Sequence, residues 1–278
     1  MTQPHSFKRL ALGTGLAIGL SAVAAPAMAI PFTWNPSAVI AGADGQFTAD
    51  NATVQDYASV AITPGTGAFT ENGLINLSSF QNAGSINNLP GLGQNYAIYV
   101  SFSAAGQISG GSASPPVGTT ESGIFNSLTY SLIAASGKPT FSANTTGGTV
   151  SGLSGNITLA TGSLLTTPNS GTVSLSNTAG QGLSASANVS ASFNANQAYA
   201  NFFVNPASTV ALNLFTSFNN TGTVLTNPAG TNDLVINGGG GNATLSLGST
   251  PVPEPASFAV LGAGLLGLGA LAMRRRSA

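Results

Sequence analysis

The sequence is poor in the residues that most protein chemistry uses. It contains no cysteine, a single histidine, and only 13 charged side chains (six Lys or Arg, seven Asp or Glu) in 278 residues. Without cysteine there is no disulfide framework and no thiolate metal site. The lone histidine, His5, lies in a segment that we expect to be removed, so no Ser-His-Asp triad or His-ligated zinc is available. We therefore predict no metal, no cofactor and no enzymatic activity.

The charge between the two termini is mostly negative. Six acidic residues minus one basic residue, Lys138, gives a net charge of about −5. Binding to a phosphate backbone requires several cations, so we expect no nucleic-acid partner. The acidic residues are Asp44, Asp50, Asp56, Glu71, Glu121 and Asp233.

Carboxylates are the only remaining candidates for catalysis. Glycoside hydrolysis needs two of them about 5–10 Å apart, and Glu71 and Glu121 are the only glutamates of the body. Each stands among Ser, Thr, Gly and Asn residues, so we expect solvated loop carboxylates rather than a catalytic pair. An extracellular carbohydrate-active enzyme is kept as an alternative, and it requires one of these glutamates to line a cleft opposite a second carboxylate.

The first 29 residues have the organisation of a secretory signal peptide. Lys8 and Arg9 precede an apolar stretch over 10–25, and Ala27-Met28-Ala29 forms an A-x-A cleavage site. This order predicts a signal helix that signal peptidase removes after Ala29, so that Ile30 becomes the mature N-terminus.

The other end, residues 249–278, combines three features in a fixed order. Val252-Pro253-Glu254-Pro255 is followed by an uncharged stretch over 257–273 and then by Arg274, Arg275 and Arg276. A helix of this length spans about 25 Å, which is short but feasible for a hydrocarbon core of about 30 Å. Arginine is costly inside a bilayer, and a basic cluster stays cytoplasmic. We therefore predict a C-terminal transmembrane helix with a basic stop.

This Pro-Glu-Pro, helix and arginine tail resembles the PEP-CTERM protein-sorting signal. Pro253, Glu254 and Pro255 correspond to the tripeptide and Arg274–Arg276 to the tail. The resemblance implies a Gram-negative bacterium in which a membrane exosortase processes the signal. The protein would then pass from an inner-membrane intermediate to the cell surface or extracellular matrix, where exopolysaccharide is the expected partner.

Period-two alternation dominates the body, residues 30–248. In LSASANVSASFN, 183–194, the residues from Leu183 to Phe193 at every second position are apolar, and those between them are polar. YAIYVSF, 96–102, places Tyr96, Ile98, Val100 and Phe102 together on one face. Such strands predict an all-β body, an antiparallel β-sandwich, with a β-solenoid as the alternative. We expect long loops over 103–122, 161–171 and 221–231, and a hairpin loop at Gly238–Gly241.

Several segments of the body also resemble the flocculation-associated branch of PEP-CTERM proteins. They include FTWNPSA (32–38), FTAD (47–50) and GLGQNYAIYV (91–100). The resemblance implies a non-enzymatic surface or matrix protein of flocs or biofilms; a self-assembling structural protein is a further alternative. In YAIYVSF, Tyr99 lies opposite the larger apolar set, so it faces water if that set faces the core, and it is our candidate glycan contact.

Overall fold

The chain folds almost entirely into antiparallel β-strands. The computed structural model describes residues 31–166, 171–179, 182–204, 210–219, 223–226 and 232–247. Two short 3-10 helices, Pro36–Ala38 and Gln197–Phe202, interrupt the strands. The strands are β1 Phe32–Trp34, β2 Phe47–Ala49, β3 Asn51–Ile62, β4 Ala68–Asn82, β5 Ser85–Ile86, β6 Tyr96–Ile108, β7 Thr119–Asn144, β8 Gly147–Ser163, β9 Gly171–Thr178, β10 Gly182–Ala195, β11 Phe203–Val204, β12 Val210–Asn219, β13 Thr223–Thr226 and β14 Asn232–Leu247.

The larger of the two sheets closes on itself. Its 11 strands follow the path β12-β10-β8-β7-β6-β4-β3-β14-β13, with β5 beside β4 and β9 between β7 and β10. Because β12 also pairs with β14, from Val210↔Leu247 to Ser217↔Gly240, the path returns to its start. Strands β4, β6 and β7 then face β10, β12 and β14 across one interior. The predicted all-β, antiparallel body is confirmed, and these two facing groups of strands pack as the layers of a sandwich do.

The predicted alternation sets which side chains enter this interior. Leu183, Ala185, Ala187 and Phe193 pack against the core, and Val189 and Ala191 are part of it. Tyr96, Ile98 and Val100 are also core residues, with Phe102 packed against them. The polar residues between them lie on the outer face because successive strand residues point to opposite faces of a sheet.

An aromatic cluster joins the small sheet, β11-β1-β2, to one end of the closed sheet. Trp34 lies at its centre, with ring centroids 4.9 Å from Phe80 and 5.5 Å from Phe203. The Trp34–Phe203 contact is edge-to-face, and a contact of this kind adds about 0.5–1.5 kcal/mol to the burial itself. The other rings of the cluster belong to Phe32, Phe47, Phe193 and Phe202.

The distal part of the β7–β8 hairpin folds over the outer face of β3, β4 and β6. The register of the two strands shifts three times, between Leu132 and Ile133, Ala134 and Ser136, and Gly137 and Thr140. Such bulges bend a strand and increase its twist. Beyond them the hairpin packs on the sheet, where the Ser59 hydroxyl donates to the carbonyl oxygen of Thr145 at 3.0 Å. The outer face is therefore covered on this side.

Several predictions are corrected by the strands. A β-solenoid is wrong, because neighbouring strands are antiparallel members of one closed sheet rather than stacked parallel coils. Gly238–Gly241 is no hairpin loop but lies inside β14, where Gly238 has a φ of 90° and the pairing with β3 shifts by one residue. The loop expected over 103–122 is confined to 109–118. A β-bulge can require a positive φ, which favours glycine. The glycine run therefore indicated an irregular backbone, but the irregularity is a bulge within one strand and not a turn between two strands.

Candidate functional site

The predicted processing sites lie outside the described residues. These are Ala27, Ala29 and Ile30 at the N-terminal cleavage site, and Val252, Pro253, Glu254, Pro255, Arg274, Arg275 and Arg276 in the sorting signal. The predicted transmembrane helix, 257–273, lies outside them too. Among the residues that are described, no helix combines the length and apolar character needed to cross a bilayer.

Tyr99 lies on the outer face, as its place in the alternation predicts, but it is not exposed to solvent. Only 3% of its surface is accessible. Phe141 of the folded-back hairpin covers it, with ring centroids 5.8 Å apart and planes at 69°. Burial raises the pKa of the Tyr99 phenol. The expectation that Tyr99 faces water is therefore wrong, since a hairpin distant in sequence covers this part of the sheet.

Tyr99 belongs to a second apolar cluster under that hairpin. Leu74, Ala97 and Ala135 are buried with it. Phe141 also stacks on Tyr57, with centroids 5.5 Å apart and planes at 22°. The cluster joins the hairpin to the sheet by packing, so a ligand could reach Tyr99 only if the hairpin moved.

A polar groove runs beside the tip of the hairpin. Its volume is about 420 Å³. The side chains along it are neutral, and they include Asn72, Ser101, Ser103, Thr129 and Thr146. Hydroxyl and amide groups of this kind can both donate and accept hydrogen bonds.

Two carboxylates lie inside the closed sheet. Asp56 on β3 and Glu71 on β4 are only 3% and 8% exposed, and both line the same two small cavities of about 50 Å³ and 30 Å³. Burial first, and the nearby charge of Asp56 second, raise the pKa of Glu71 to about 8. Glu71 therefore holds its proton at neutral pH, since a neutral carboxyl is far less costly to bury than a carboxylate.

The expectation of solvated loop glutamates is wrong for both residues. Glu71 is the fourth residue of β4, and Glu121, also 8% exposed, is in β7. Glu121 accepts a hydrogen bond from the backbone N–H of Ser112 at 3.3 Å. Alternation along FTENGLINL, 69–77, could have shown the burial of Glu71, because Phe69 and Ile75 share its face. Thr70 and Asn72, on either side of it, are its outward-facing neighbours.

Asp44 has a structural role near one end of β6. Its carboxylate accepts hydrogen bonds from the Gly91 N–H at 3.0 Å and from the Tyr96 hydroxyl at 3.1 Å. Burial, together with the charge and hydrogen bond of Asp44, raises the pKa of Tyr96. Over the described ranges, no three His, Cys, Asp or Glu side chains come together in a way that could hold a metal ion.

The outer face of β7, β9 and β10 carries a regular array of hydroxyl groups. The register aligns Thr120 with Ser176 and Ser176 with Ser184 in one row. A second row, one alternate position further along, aligns Ser122, Ser174 and Ser186. A third row consists of Ile124, Thr172 and Asn188. We call these nine side chains the hydroxyl face.

Hydrogen bonds join neighbouring side chains of the hydroxyl face across the strands. The hydroxyls of Thr120 and Ser176 are 2.8 Å apart, and those of Ser174 and Ser186 are 2.9 Å apart. A shallow groove of about 320 Å³ runs over the second and third rows. No member of the face is charged, and Glu121, the acid within this part of β7, is buried. Sequence alternation predicted polar outer residues here, but not that three strands would align them.

Comparison with known protein families identifies a motif in one segment of the chain. Residues 251–276 match the model of the PEP-CTERM protein-sorting motif. No curated protein and no solved structure matches the chain. The motif supports an exported protein that exosortase processes and sorts to the cell envelope.

Proposed function

We propose that this exosortase-sorted protein is a non-enzymatic component of the cell surface or extracellular matrix that associates with exopolysaccharide in flocs or biofilms. One observation carries the proposal beyond sorting: the outer surface of β7, β9 and β10 is a neutral array of hydroxyl and amide groups. Such groups exchange hydrogen bonds with sugar hydroxyls without the cost of desolvating a charge.

The proposed route to the surface has two processing steps. Signal peptidase cuts after Ala29 during export, and the helix predicted over 257–273 then holds the chain in the inner membrane of a Gram-negative cell. Exosortase acts next near Pro253-Glu254-Pro255, a segment in which two prolines are expected to disfavour helix. The β-rich body is thereby delivered to the surface or matrix.

Intact-mass analysis of the protein from membrane and extracellular fractions of its own cells tests this route. The expected product begins at Ile30 and ends near residues 252–257, outside the membrane fraction. A chain with its full C-terminus, found in the membrane alone, would show that the helix is a permanent anchor. A control chain with Arg274–Arg276 replaced by Ser should lose this processing if the basic tail is read as part of the signal.

The alternative of a carbohydrate-active enzyme has one observation in its favour. Glu71 lines interior cavities together with a second carboxylate, Asp56. Those cavities measure about 50 Å³ and 30 Å³, whereas even a benzene-sized ring occupies a cavity on the order of 150 Å³. We therefore prefer the non-enzymatic function. Release of sugars from matrix polysaccharide by the natural chain, but not by Glu71→Gln, would reverse that preference.

Self-assembly through strand edges is the other alternative. Closure of the main sheet between β12 and β14 removes the two long free edges that an open sheet would offer to another copy. This closure favours association through side chains over edge-to-edge pairing. Sedimentation of the exported protein at increasing concentration tests the alternative, and a mass that grows with concentration would support self-assembly.

A further inference from the structure

The hydroxyl face is the part of the described surface whose chemistry specifies a partner most narrowly. It is built from three adjacent antiparallel strands, so neighbouring side chains within a row are about 4.8 Å apart across the strands, and successive rows are nearly 7 Å apart along the strands. Seven of its nine side chains carry a hydroxyl group, one is an amide, and one, Ile124, is apolar and 53% exposed. A regular, flat array of this kind suits an extended ligand with repeating hydroxyl groups.

The hydrogen bonds within the face leave capacity for a ligand. A serine or threonine hydroxyl has one donor and two acceptor sites. In a pair such as Ser174 and Ser186, 2.9 Å apart, one hydroxyl donates to the other, and the pair keeps one free proton and several free lone pairs. The mutual bonds also hold the side chains in place, which lowers the entropy lost when a ligand orders them.

Charge decides between classes of polysaccharide. The face itself is neutral, and Lys138, the sole basic residue of the described part of the chain, is exposed on the folded-back hairpin. The formal net charge of the body is about −5, and it is about −4 when the buried Glu71 keeps its proton. An acidic polysaccharide would therefore meet no compensating cation on this face and a body whose net charge has the same sign as its own.

A protein partner fits the face less well. Stable protein interfaces are centred on buried aromatic, Met or Arg side chains, and serine is depleted in them. Ile124, at the edge of the third row, is the one large apolar side chain of the hydroxyl face. Ile124 suits a sugar partner better, because it can pack against the apolar C–H face of a sugar ring while the hydroxyl rows bind the equatorial hydroxyl groups of the polymer.

We propose that the hydroxyl face of β7, β9 and β10 binds an extended, uncharged, hydroxyl-rich polysaccharide. The inference rests on the proposed function, and it adds the surface that makes the contact and the charge class of the polymer. The groove of about 320 Å³ over Ser122, Thr172, Ser174 and Asn188 is the contact strip. Single hydrogen bonds to sugars contribute little in water, so the affinity arises from many repeats of the polymer along the rows.

The test uses the exported protein from its own cells and the polysaccharide of the matrix that those cells make. The polysaccharide is divided on an anion exchanger into an unretained, uncharged fraction and a retained, acidic fraction. The face variant carries Thr172→Val, Ser174→Val and Ser186→Val, which remove hydroxyls but suit an exposed strand. The control variant carries Thr53→Val, Thr70→Val and Ser78→Val on the outer face of β3 and β4.

The natural chain should bind the uncharged fraction, the face variant should bind it at least tenfold more weakly, and the control variant should bind it as the natural chain does. Denaturation midpoints show whether both variants fold. If the triple variant does not fold, the single change Thr120→Val, at an exposed position, replaces it and should give a smaller loss of binding. Equal binding by the face variant, or binding to the acidic fraction alone, would overturn the inference while leaving the proposed function intact. No binding of either fraction by the natural chain would overturn both.

Discussion

Replacing Glu71 by Gln is expected to change how the stability of the protein depends on pH. Glu71 is buried inside the closed sheet beside Asp56, and burial first and the charge of Asp56 second raise its pKa to about 8. In the unfolded chain the same carboxyl titrates near pH 4.5. Between these two values the folded state keeps a proton that the unfolded state has released.

The sign and size of the effect follow from this difference in bound protons. Because the folded state binds more protons than the unfolded state, the free energy of unfolding falls as pH rises. The loss is about 1.4 kcal/mol for each pH unit, or on the order of 5 kcal/mol between pH 4.5 and 8, and it levels off above pH 8. Glutamine has nearly the same volume and no charge, so Glu71→Gln should remove this slope. The variant should match the natural chain near pH 4.5 and exceed its stability above pH 8.

Denaturant unfolding at a series of pH values from 4.5 to 9 measures the slope. Trp34 is the only tryptophan and is 5% exposed in the folded chain, so its fluorescence reports unfolding. Asp50→Asn is a matched control, because the Asp50 carboxylate only accepts a bond from the Ala83 N–H near the surface; it should leave the slope unchanged. Asp56→Asn should remove the smaller part of the slope, since burial is the larger cause. A natural chain of constant stability between pH 5 and 8, or a Glu71→Gln variant with an unchanged slope, would refute the reasoning.

Two further substitutions test the packing on the two faces of the sheet. Gly73→Ala would place a Cβ 2.8 Å from the Phe102 ring, so it should lower the free energy of unfolding by about 1–3 kcal/mol in a denaturant titration. Gly45→Ala is the control and should be nearly neutral, because its Cβ would meet nothing within 4 Å. Equal effects of the two substitutions would contradict the close packing at Gly73. Phe141→Ala should lower stability by about 2 kcal/mol, less than the roughly 3–5 kcal/mol of a fully buried phenylalanine, because Phe141 is only half-buried. The variant should also make Tyr99 reactive to nitration, detected by peptide mass. An unreactive Tyr99 in the variant would show that other parts of the hairpin cover it.

The strands could be predicted from the sequence wherever one face is apolar and the other polar. The alternation in 183–194 gave both the strand and its inward face, because a half-buried antiparallel strand repeats every two residues. The same pattern placed Tyr96, Ile98, Val100 and Phe102 toward the core. In these segments local periodicity was sufficient to predict the strand and its inward face, because each residue is apolar or polar according to whether it faces the core or the solvent.

Other features depend on contacts between residues far apart in the chain. The cover over Tyr99 comes from Phe141, 42 positions later, and nothing near Tyr99 indicates it. Closure of the sheet depends on the pairing of β12 with β14, which adds a second neighbour to each strand without changing its alternation. The glycines of β14 were ambiguous for another reason, since a bulge and a hairpin loop require the same positive φ.

Closure of the sheet and neutrality of its surface are physically connected. A protein with few charges cannot rely on repulsion to stay apart from its copies, and unpaired strand edges would then add backbone hydrogen bonds to any encounter. Pairing β12 with both β10 and β14 satisfies those backbone groups within one chain. What remains outside is a surface of side-chain hydroxyls, each weak by itself. Such a surface gains affinity only from a partner that repeats, so a long polymer of sugars is favoured over a single small ligand.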